Sequence, residues 1–328
     1  MPATVGAAIR WGTGQLHRAG VETPAVDSRL LMAYALADHG DNTGEQRADS
    51  PHASQQVELP RMPLSMSEVF FSHDHATPAI FAQWIAQRTQ RQPLQHIVGA
   101  ATFDGVDFLS RPGAFIPRPE TELLVDWAFH EALHRAPATG RVTVVDLCTG
   151  PGTIALALAC RFTDANRDAL IIGVELHDGA LQVARANEAQ LRQRNLIGSG
   201  VEVRFHQADL LKLDEVRIAQ QRLLAGEAAP AVIVSNPPYV PANAAVSDEV
   251  RHDPSDAVFA GEDGMEFLPG LLRALGIFAG GERVGVGIEH DDANGTATAT
   301  ALEQAGTTEV KQHRDVAGRD RFVTAEWL

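Results

Sequence analysis

The stretch AVIVSNPPYVP, residues 231–241, holds the side chains best suited to chemistry. Its apolar start is typical of a buried strand, and the strand runs into Asn236, Pro237, Pro238 and Tyr239. The carbonyls of Asn236 and Pro237 are acceptors, and the prolines fix φ at about −65°, so that both acceptors point one way. Tyr239 adds a flat face. The pattern predicts a clamp for a planar NH2 group; the structural alternative is a strand that ends in an Asn-Pro turn.

A glycine-bearing turn, DLCTGPG at residues 146–152, leads from an apolar run directly into a helical stretch. Glycine lets the backbone approach a ligand closely, and a helix N-terminus offers free N–H groups to an anion. The turn therefore indicates a nucleotide-like cofactor, although it lacks the spacing G-x-G-x-x-G and also fits a generic tight turn. The candidate cofactor-binding residues in it are Asp146, Cys148, Thr149, Gly150, Pro151 and Gly152.

Two further acidic residues follow the next apolar runs. Glu175 ends LIIGVE, at the distance from the glycine turn where a carboxylate binds a ribose diol. Asp209 ends FHQAD and is placed to accept from an exocyclic amine such as adenine N6, with Leu210 beside it as a further candidate. Their structural alternatives are a helix-start carboxylate and a helix N-cap. Three such features at successive strand ends favour an adenosine cofactor, and Asn236 at the fourth strand end joins that candidate set.

Short apolar runs alternate with helical stretches from residue 140 onward. Continuous Val/Ile/Leu runs with helical crossovers predict an α/β domain with a doubly wound, mostly parallel sheet, whose ligands lie at the carboxyl ends of the strands. The first ninety residues predict helices, at 26–37 with Asp27 or Ser28 as N-cap and at 77–90 with Thr77 as N-cap. Residues 38–65 between them are polar and predict a loop or insertion.

Composition sets outer limits on function. The 328 residues suggest one large and one small domain, and the net charge of −15 disfavours non-specific nucleic-acid binding, which depends on Lys and Arg. Only two cysteines occur, and neither a signal-peptide pattern nor an apolar run of about 18 residues is present. We therefore expect a cytoplasmic protein that binds neither membrane nor nucleic acid directly. The oligomeric state is left open.

These motifs resemble a known family. DLCTGPG, Glu175 and NPPY are similar to class I S-adenosylmethionine-dependent methyltransferases, Rossmann-like enzymes that modify planar amino groups of DNA, RNA or protein glutamine. The segment QPLQHIVGAATFDGVDFLSRPGAFIPRPETELLVDWA at residues 92–128 resembles the protein N5-glutamine methyltransferases that act on peptide-chain release factors. EDGMEFLPGLLRAL and DVAGRDRFVTA also fit that family, so the likeness spans nearly the whole chain.

The resemblance implies a function and an organisation. The activity would be S-adenosylmethionine-dependent N5-methylation of a glutamine, that of the Gly-Gly-Gln motif in bacterial class I release factors. Residues 1–91 would form a helical substrate-recognition domain, 92–116 a linker hairpin and 117–328 the methyltransferase domain. Asn236, Pro237 and Tyr239 would be catalytic. The substrate-binding set would be Asn236, Pro237, Pro238, Tyr239, Arg118, Glu120 and Thr121.

The sequence departs from the family pattern at three points. Cys148 stands where the family usually has Gly, and Glu175 where it usually has Asp. Cys is small and Glu preserves the diol chemistry, so we expect cofactor binding to survive. Val286 occupies the position at which the family's last parallel strand carries Glu, and Glu289 is a candidate to replace it through a shifted register.

Three other features of the sequence match patterns of metal binding or nucleophilic catalysis. HEALH at 130–134 matches the zinc motif H-E-x-x-H and HDH at 73–75 groups two histidines, but chance matches are common, so no metal is predicted. Cys148 near a helix N-terminus is a weak candidate nucleophile without a neighbouring His. Two functional alternatives stay open: an adenine N6 or guanine N2 methyltransferase with the same clamp, and a catalytically silent cofactor-binding protein.

Overall fold

The computed structural model describes residues 1–39, 62–136 and 140–328. Within them the chain divides into two compact units, each traced by several segments. The first, helical unit consists of Met1–Ala101, Leu109–Pro112 and Ser247–His252. The second unit consists of Thr102–Phe108, Gly113–Val246 and Asp253–Leu328. The domain boundaries expected at residues 91 and 116 stay a prediction, as does the role given to the first domain.

The helical unit is built on an apolar core that its helices share. Its helices are α1 (Val5–Arg18), α2 (Pro24–His39), α3 (Met66–Phe71), α4 (Ile80–Thr89) and α5 (Leu94–Val98). Arg88 of α4 bonds to Asp27 of α2 at 2.7 Å and to Glu249 at 2.8 Å. These buried ion pairs explain why the short segment 247–252 belongs to this unit.

Both helices predicted in this region exist, but their expected N-caps are wrong. Helix α2 begins at Pro24, so Asp27 already lies in its first turn and accepts from Thr23. Helix α4 begins at Ile80 after Ala79, while the Thr77 hydroxyl donates to the Pro2 carbonyl instead. A tertiary hydrogen bond engages Thr77, whereas Asp27 accepts both from Thr23, four positions earlier, and from Arg88 of α4. Most of the polar stretch 38–65 lies outside the described residues.

The second unit is organised around one twisted sheet. A separate two-stranded hairpin, β1 (Ala100–Phe103) and β2 (Val106–Leu109), precedes it. The sheet strands are β3 (Val142–Leu147), β4 (Ala169–Glu175), β5 (Val201–Gln207), β6 (Val232–Ser235), β7 (Val284–Glu289), β8 (Thr308–Arg314) and β9 (Asp320–Trp327). The helices are α6 (Glu122–Arg135), α7 (Thr153–Asp164), α8 (Asp178–Gln193), α9 (Leu213–Leu223), α10 (Ser255–Val258), α11 (Leu268–Ala279) and α12 (Gly295–Gln304).

The seven strands lie in the order β5-β4-β3-β6-β7-β9-β8. Strands β3 to β7 are parallel, and β9 runs antiparallel between β7 and β8. The predicted doubly wound, mostly parallel sheet is confirmed. Its strand order reverses between β3 and β6, so the carboxyl ends of these two strands flank the switch point where ligands bind in such folds.

Apolar side chains cover both faces of the sheet. Alternate residues of β3 point to opposite sides: Val144 belongs to the apolar cluster that includes Leu156 of α7, and Val145 to the cluster that includes Leu275 of α11. Double-sided burial explains the continuous apolar strands that the sequence shows. Among the described residues, no helix is both long and apolar enough to cross a membrane.

Candidate functional site

The register of the sheet brings the predicted site residues to one edge. Leu147 pairs with Val174 on one side and with Ser235 on the other. Ser235 in turn pairs with Ile288 of β7. The residues that follow these strand ends are therefore neighbours, although up to about 140 residues separate them in sequence. Two loops at this edge form the candidate site: the glycine loop (residues 146–152) and the clamp loop (residues 236–239).

The glycine loop folds tightly into α7. Gly150 and Gly152 both have positive φ, at 56° and 81°. A Cβ on Gly152 would lie 3.0 Å from Ala184 and Phe205, whereas a Cβ on Gly150 would meet nothing within 4 Å. Gly152 is thus required for packing. Gly150 leaves its backbone open to a ligand, as predicted for a turn that approaches a cofactor.

Asp146 lies fully buried at the base of this loop. Its Oδ2 accepts from the Thr149 hydroxyl at 2.5 Å and from the Ala155 N–H at 3.2 Å. Its Oδ1 has no partner among the described residues. Burial raises the pKa of Asp146 to about 7, against the lowering effect of the two hydrogen bonds. A buried acceptor without a partner is a ready contact for a donor on a bound ligand.

Glu175 braces the loop from the end of β4. Its Oε2 accepts from the Gly150 N–H at 2.9 Å and its Oε1 from the His177 N–H at 3.0 Å. Each carboxylate oxygen keeps a second lone pair, so two hydroxyls of a ribose diol still find acceptors here. The structural alternative of a solvated helix-start carboxylate does not describe this residue, which is only 9% exposed.

Cys148 takes the left-handed conformation that glycine favours, with φ of 63°. Burial, with Glu175 close by, raises the pKa of its thiol well above the usual range, despite a hydrogen bond with Ser235. A thiolate nucleophile needs the opposite shift. The geometry therefore fits a small residue tolerated at a glycine position, and it opposes the nucleophile interpretation.

Asp209 and Leu210 follow β5 at the next strand end. The Asp209 carboxylate accepts from the Leu211 N–H at 2.9 Å, and its own N–H donates to Glu215 at 2.9 Å. Helix α9 begins at Leu213 after Lys212, so Asp209 is not the N-cap of that helix. The side chain of Asp209 is 21% exposed, and Leu210 is buried. Their assignment to the cofactor stays a prediction.

The clamp loop is held by backbone bonds to a later segment. The N–H groups of Tyr239 and Val240 donate to the Val258 carbonyl at 3.2 and 2.9 Å, and Ala260 donates back to Val240 at 2.9 Å. Gly264, with φ of 78°, passes so close that a Cβ would lie 2.2 Å from the Tyr239 carbonyl oxygen. The close packing of Gly264 against the loop, together with the restricted φ of Pro237 and Pro238, therefore fixes the backbone of the clamp loop.

Thr121 sets the direction of the Asn236 amide. Asn236 Nδ2 donates to Thr121 Oγ1 at 3.4 Å, which turns the amide carbonyl Oδ1 away from Thr121 and leaves it as an acceptor. This contact joins the PRPET segment (residues 117–121) to the clamp loop, and the assignment of both to the substrate stays a prediction. Arg118 instead pairs with Asp253 at 2.5 Å, and Glu120 lies 3.5 Å from Arg319.

Glu289 is the site residue that sequence reasoning placed least firmly. It is the last residue of β7 and is 2% exposed, and its Oε1 accepts from the Tyr239 hydroxyl at 3.1 Å. Val286 lies inside the strand, paired with Ile233 and Ala325. The carboxylate is thus at position 289. The sequence carried a signal for it, because an acidic residue ends an apolar run there, at the edge where the other candidates lie.

The zinc-like motif lies on α6. His130 is 68% exposed, and its ring Nδ1 donates to the Asp126 carbonyl of the same helix at 2.9 Å. Across residues 1–39, 62–136 and 140–328, no three His, Cys, Asp or Glu side chains are grouped as a metal site requires.

Comparison with known proteins gives full-length relatives. The chain is 36% identical over 323 residues to the release factor glutamine methyltransferase of Mycolicibacterium smegmatis, covering 97% of this chain and 96% of that protein. It is 35% identical over 330 residues to the Corynebacterium glutamicum protein of the same name, covering 99% of each. The Bacillus subtilis protein of that name is 29% identical over 326 residues, 98% of this chain and 97% of the relative.

No protein-family profile matches the chain. Among solved structures, an rRNA methyltransferase from Streptomyces viridochromogenes superposes with a TM-score of 0.42 at 18% identity, covering 67% of this chain and 88% of that one. A likeness at this level supports no argument about function. The relatives at 36% and 35% identity match 97% and 99% of this chain, and the geometry at the strand ends is consistent with them. The chain belongs to the release factor glutamine methyltransferase family.

Proposed function

We propose that this protein transfers the methyl group of S-adenosylmethionine to the side-chain amide nitrogen of a release factor glutamine, that of the Gly-Gly-Gln motif in bacterial class I factors. The observation that carries the proposal is the Asn236 amide, which Thr121 orients with its acceptor oxygen free beside the glycine loop. The 36% identity over 97% of the chain to an enzyme of this name supports the choice of substrate.

The residues of the glycine loop fit the cofactor. The unpartnered Oδ1 of Asp146 suits an amino or hydroxyl donor, and the open side of Gly150 gives room for a ligand against the backbone. Glu175 offers carboxylate lone pairs for the ribose diol, and Asp209 with Leu210 would hold the adenine. Thr149 keeps Asp146 in place. Bound S-adenosylmethionine supplies an electrophilic methyl group on a sulfonium sulfur.

The clamp loop acts by positioning. An amide nitrogen is a poor nucleophile because its lone pair is delocalised into the carbonyl. Acceptors on its two N–H bonds, the Asn236 side chain and the Pro237 carbonyl, hold the nitrogen and stabilise the positive charge that develops on it. Fixing the reacting groups in line contributes on the order of 7 to 11 kcal/mol. Pro238 and Tyr239 wall the planar group, and the nitrogen loses its proton after transfer.

Arg118, Glu120 and Thr121 would contact the substrate from the PRPET segment, with Arg118 held in place by the buried Asp253. The helical unit would recognise the release factor itself, because one glutamine offers too little surface to specify a site. We place the reaction in the cytoplasm, where a translation factor is met, and we expect no direct nucleic-acid or membrane contact.

The proposal is tested with purified release factor and labelled S-adenosylmethionine. We expect label on the wild-type factor and none on the same factor with Gln→Ala in its Gly-Gly-Gln motif. Label that persists on the Ala version would contradict the target glutamine. Label on an added DNA or RNA instead would favour the exocyclic-amine alternative, and consumption of no cofactor with any acceptor would favour the silent binding protein.

A further inference from the structure

Glu289 receives two hydroxyl groups that come from distant parts of the chain. The Tyr239 hydroxyl donates to its Oε1 at 3.1 Å. The Thr121 side chain is a second hydrogen-bonding neighbour, and it lowers the pKa of Glu289. Thr121 in turn accepts from Asn236 Nδ2 at 3.4 Å. A single buried carboxylate is thus connected to the amide and to the ring of the clamp loop.

The chemistry of an ionised carboxylate fixes the direction of every bond in this chain. A carboxylate only accepts, so the Thr121 hydroxyl must donate its proton to Glu289. The lone pair of Thr121 is then free to accept, and the partner that faces it must be the NH2 half of the Asn236 amide. The carbonyl half of that amide is thereby turned outward as an acceptor.

We propose that Glu289 is a positioning residue, which through Thr121 orients the Asn236 amide as an acceptor and through the Tyr239 hydroxyl fixes the ring of the clamp. This inference rests on the proposed function. Glu289 does not touch the transferred methyl or its acceptor; it acts by deciding which end of Asn236 faces the substrate amide.

The charges around Glu289 make this chain sensitive to pH. Arg321 of β9 favours the ionised form of Glu289, and Glu120, in the 3-10 turn Pro119–Thr121, disfavours that form. Hydrogen bonds from Tyr239 and Thr121 also favour the ionised form. The guanidinium of Arg321 pairs with Asp315 at 3.3 Å. Burial outweighs these contacts and raises the pKa of Glu289 to about 7. Protonated Glu289 can donate to Thr121, which removes the constraint on Asn236.

The test is single-turnover methyl transfer from labelled S-adenosylmethionine to purified release factor, compared for wild type and Glu289→Gln. A Gln side chain offers an NH2 group that can reverse the chain. We expect the variant to be at least tenfold slower at pH 8, with its Kd for S-adenosylmethionine within twofold of wild type. We also expect the wild-type transfer rate to rise as pH increases through about 7, and we expect the rate of the variant not to show this rise.

Thr121 provides a second, independent set of variants should Glu289→Gln fold poorly. Thr121→Val replaces the hydroxyl with a methyl group of similar size, and we expect it to slow methyl transfer as much as Glu289→Gln does. Thr121→Ser keeps the hydroxyl, and we expect it to transfer methyl at nearly the wild-type rate. The double variant is expected to be no slower than the slower single variant, since both changes break one chain. The proposal would be overturned if the fold-losses of the two single variants multiplied in the double variant. It would also be overturned if Glu289→Gln transferred methyl at the wild-type rate, or if its rate still rose with pH through about 7. Wild type that fails to methylate the release factor would instead contradict the proposed function.

Discussion

Asp146 and Glu289, two of the buried carboxylates at the site, have different surroundings. Asp146 of the glycine loop takes its hydrogen bonds from residues three and nine positions along the chain. Glu289 is bonded by Tyr239, 50 positions away, and by Thr121, which Asn236 contacts across 115 positions. Burial raises the pKa of both carboxylates to about 7. The Asp146 carboxylate is therefore held by residues near it in sequence, whereas the partners of Glu289 are brought to it by the fold of the sheet.

This difference implies different responses to mutation. The two hydrogen bonds of Asp146 come from within one strand-turn-helix unit, so they should persist when a distant residue changes. The rest of the glycine loop is also braced by Glu175 of β4 and by the packing of Gly152 against Ala184 and Phe205. The clamp loop depends on contacts from β7, from the turn before α6 and from the segment around Gly264. We therefore expect changes at the clamp to impair transfer and to spare cofactor binding.

The largest effect is expected from Asn236→Ala. Loss of one preorganised acceptor commonly lowers turnover by about two orders of magnitude, so we expect kcat to fall at least about 100-fold while the Kd for S-adenosylmethionine stays within a few-fold. Steady-state kinetics and calorimetric titration measure the two quantities.

The matched control is Asn166→Gly. Asn166 is exposed, lies before the amino end of β4 and has φ of 51°, which glycine adopts without strain. It is expected to keep normal turnover. A clamp variant with near-normal kcat, or one that loses cofactor binding as well, would show that the two loops are not separate in function.

Asp146→Asn is expected to change how stability depends on pH. The folded-state pKa of Asp146, about 7, lies above the unfolded value, so the folded protein holds a proton that the unfolded chain has released. The unfolding free energy of cofactor-free wild type should therefore fall as pH rises towards 7 and level off above it. Relative to the variant, the fall from pH 5 to 8 is expected to be on the order of 2 kcal/mol.

Urea unfolding at several pH values measures this difference, with Asp214→Asn as the control. Asp214 has a side chain that is 97% exposed, so its substitution should leave the pH dependence of stability unchanged. If the curves of wild type and Asp146→Asn stay parallel, Asp146 is already ionised in the folded protein, and its likeness to Glu289 fails.

Gly264→Ala tests the backbone support of the clamp loop. The added Cβ would lie 2.2 Å from the Tyr239 carbonyl, so the loop must shift, and we expect kcat to fall about tenfold. Gly226→Ala is the matched control, because its φ of 77° is nearly the same and its Cβ would meet nothing within 4 Å. Equal effects of the two substitutions on kcat would contradict the role of Gly264.

The smallest effect is expected from Cys148→Gly. Glycine adopts the positive φ at this position without strain, and the raised pKa of the thiol argues against a chemical role. We expect kcat and the Kd for S-adenosylmethionine to stay within about threefold of wild type. A hundredfold loss of kcat would show that the thiol takes part in the reaction.

The same contrast explains what the sequence could predict. The alternating apolar runs specified the parallel sheet, because strands buried on both faces leave a continuous apolar signal. Gly150 and Gly152 could be predicted as site residues because a tight turn shows its need for glycine within a few residues, and Glu175 because an acidic residue ends the next apolar run. Glu289 was placed with less certainty, since its partners Tyr239 and Thr121 become neighbours only through the sheet. The cap expected at Thr77 was wrong for the same reason: its partner, Pro2, is distant in sequence.

The central claim is that the clamp holds the amide of a protein glutamine. It is tested most directly in one reaction that contains the enzyme, labelled S-adenosylmethionine, purified release factor and an equimolar mixture of adenine- and guanine-containing oligonucleotides, with the product located by tandem mass spectrometry. The account predicts a single methyl group on the side-chain nitrogen of the Gly-Gly-Gln glutamine. Methylation of a base amine, or of the release factor at any other residue, would contradict it.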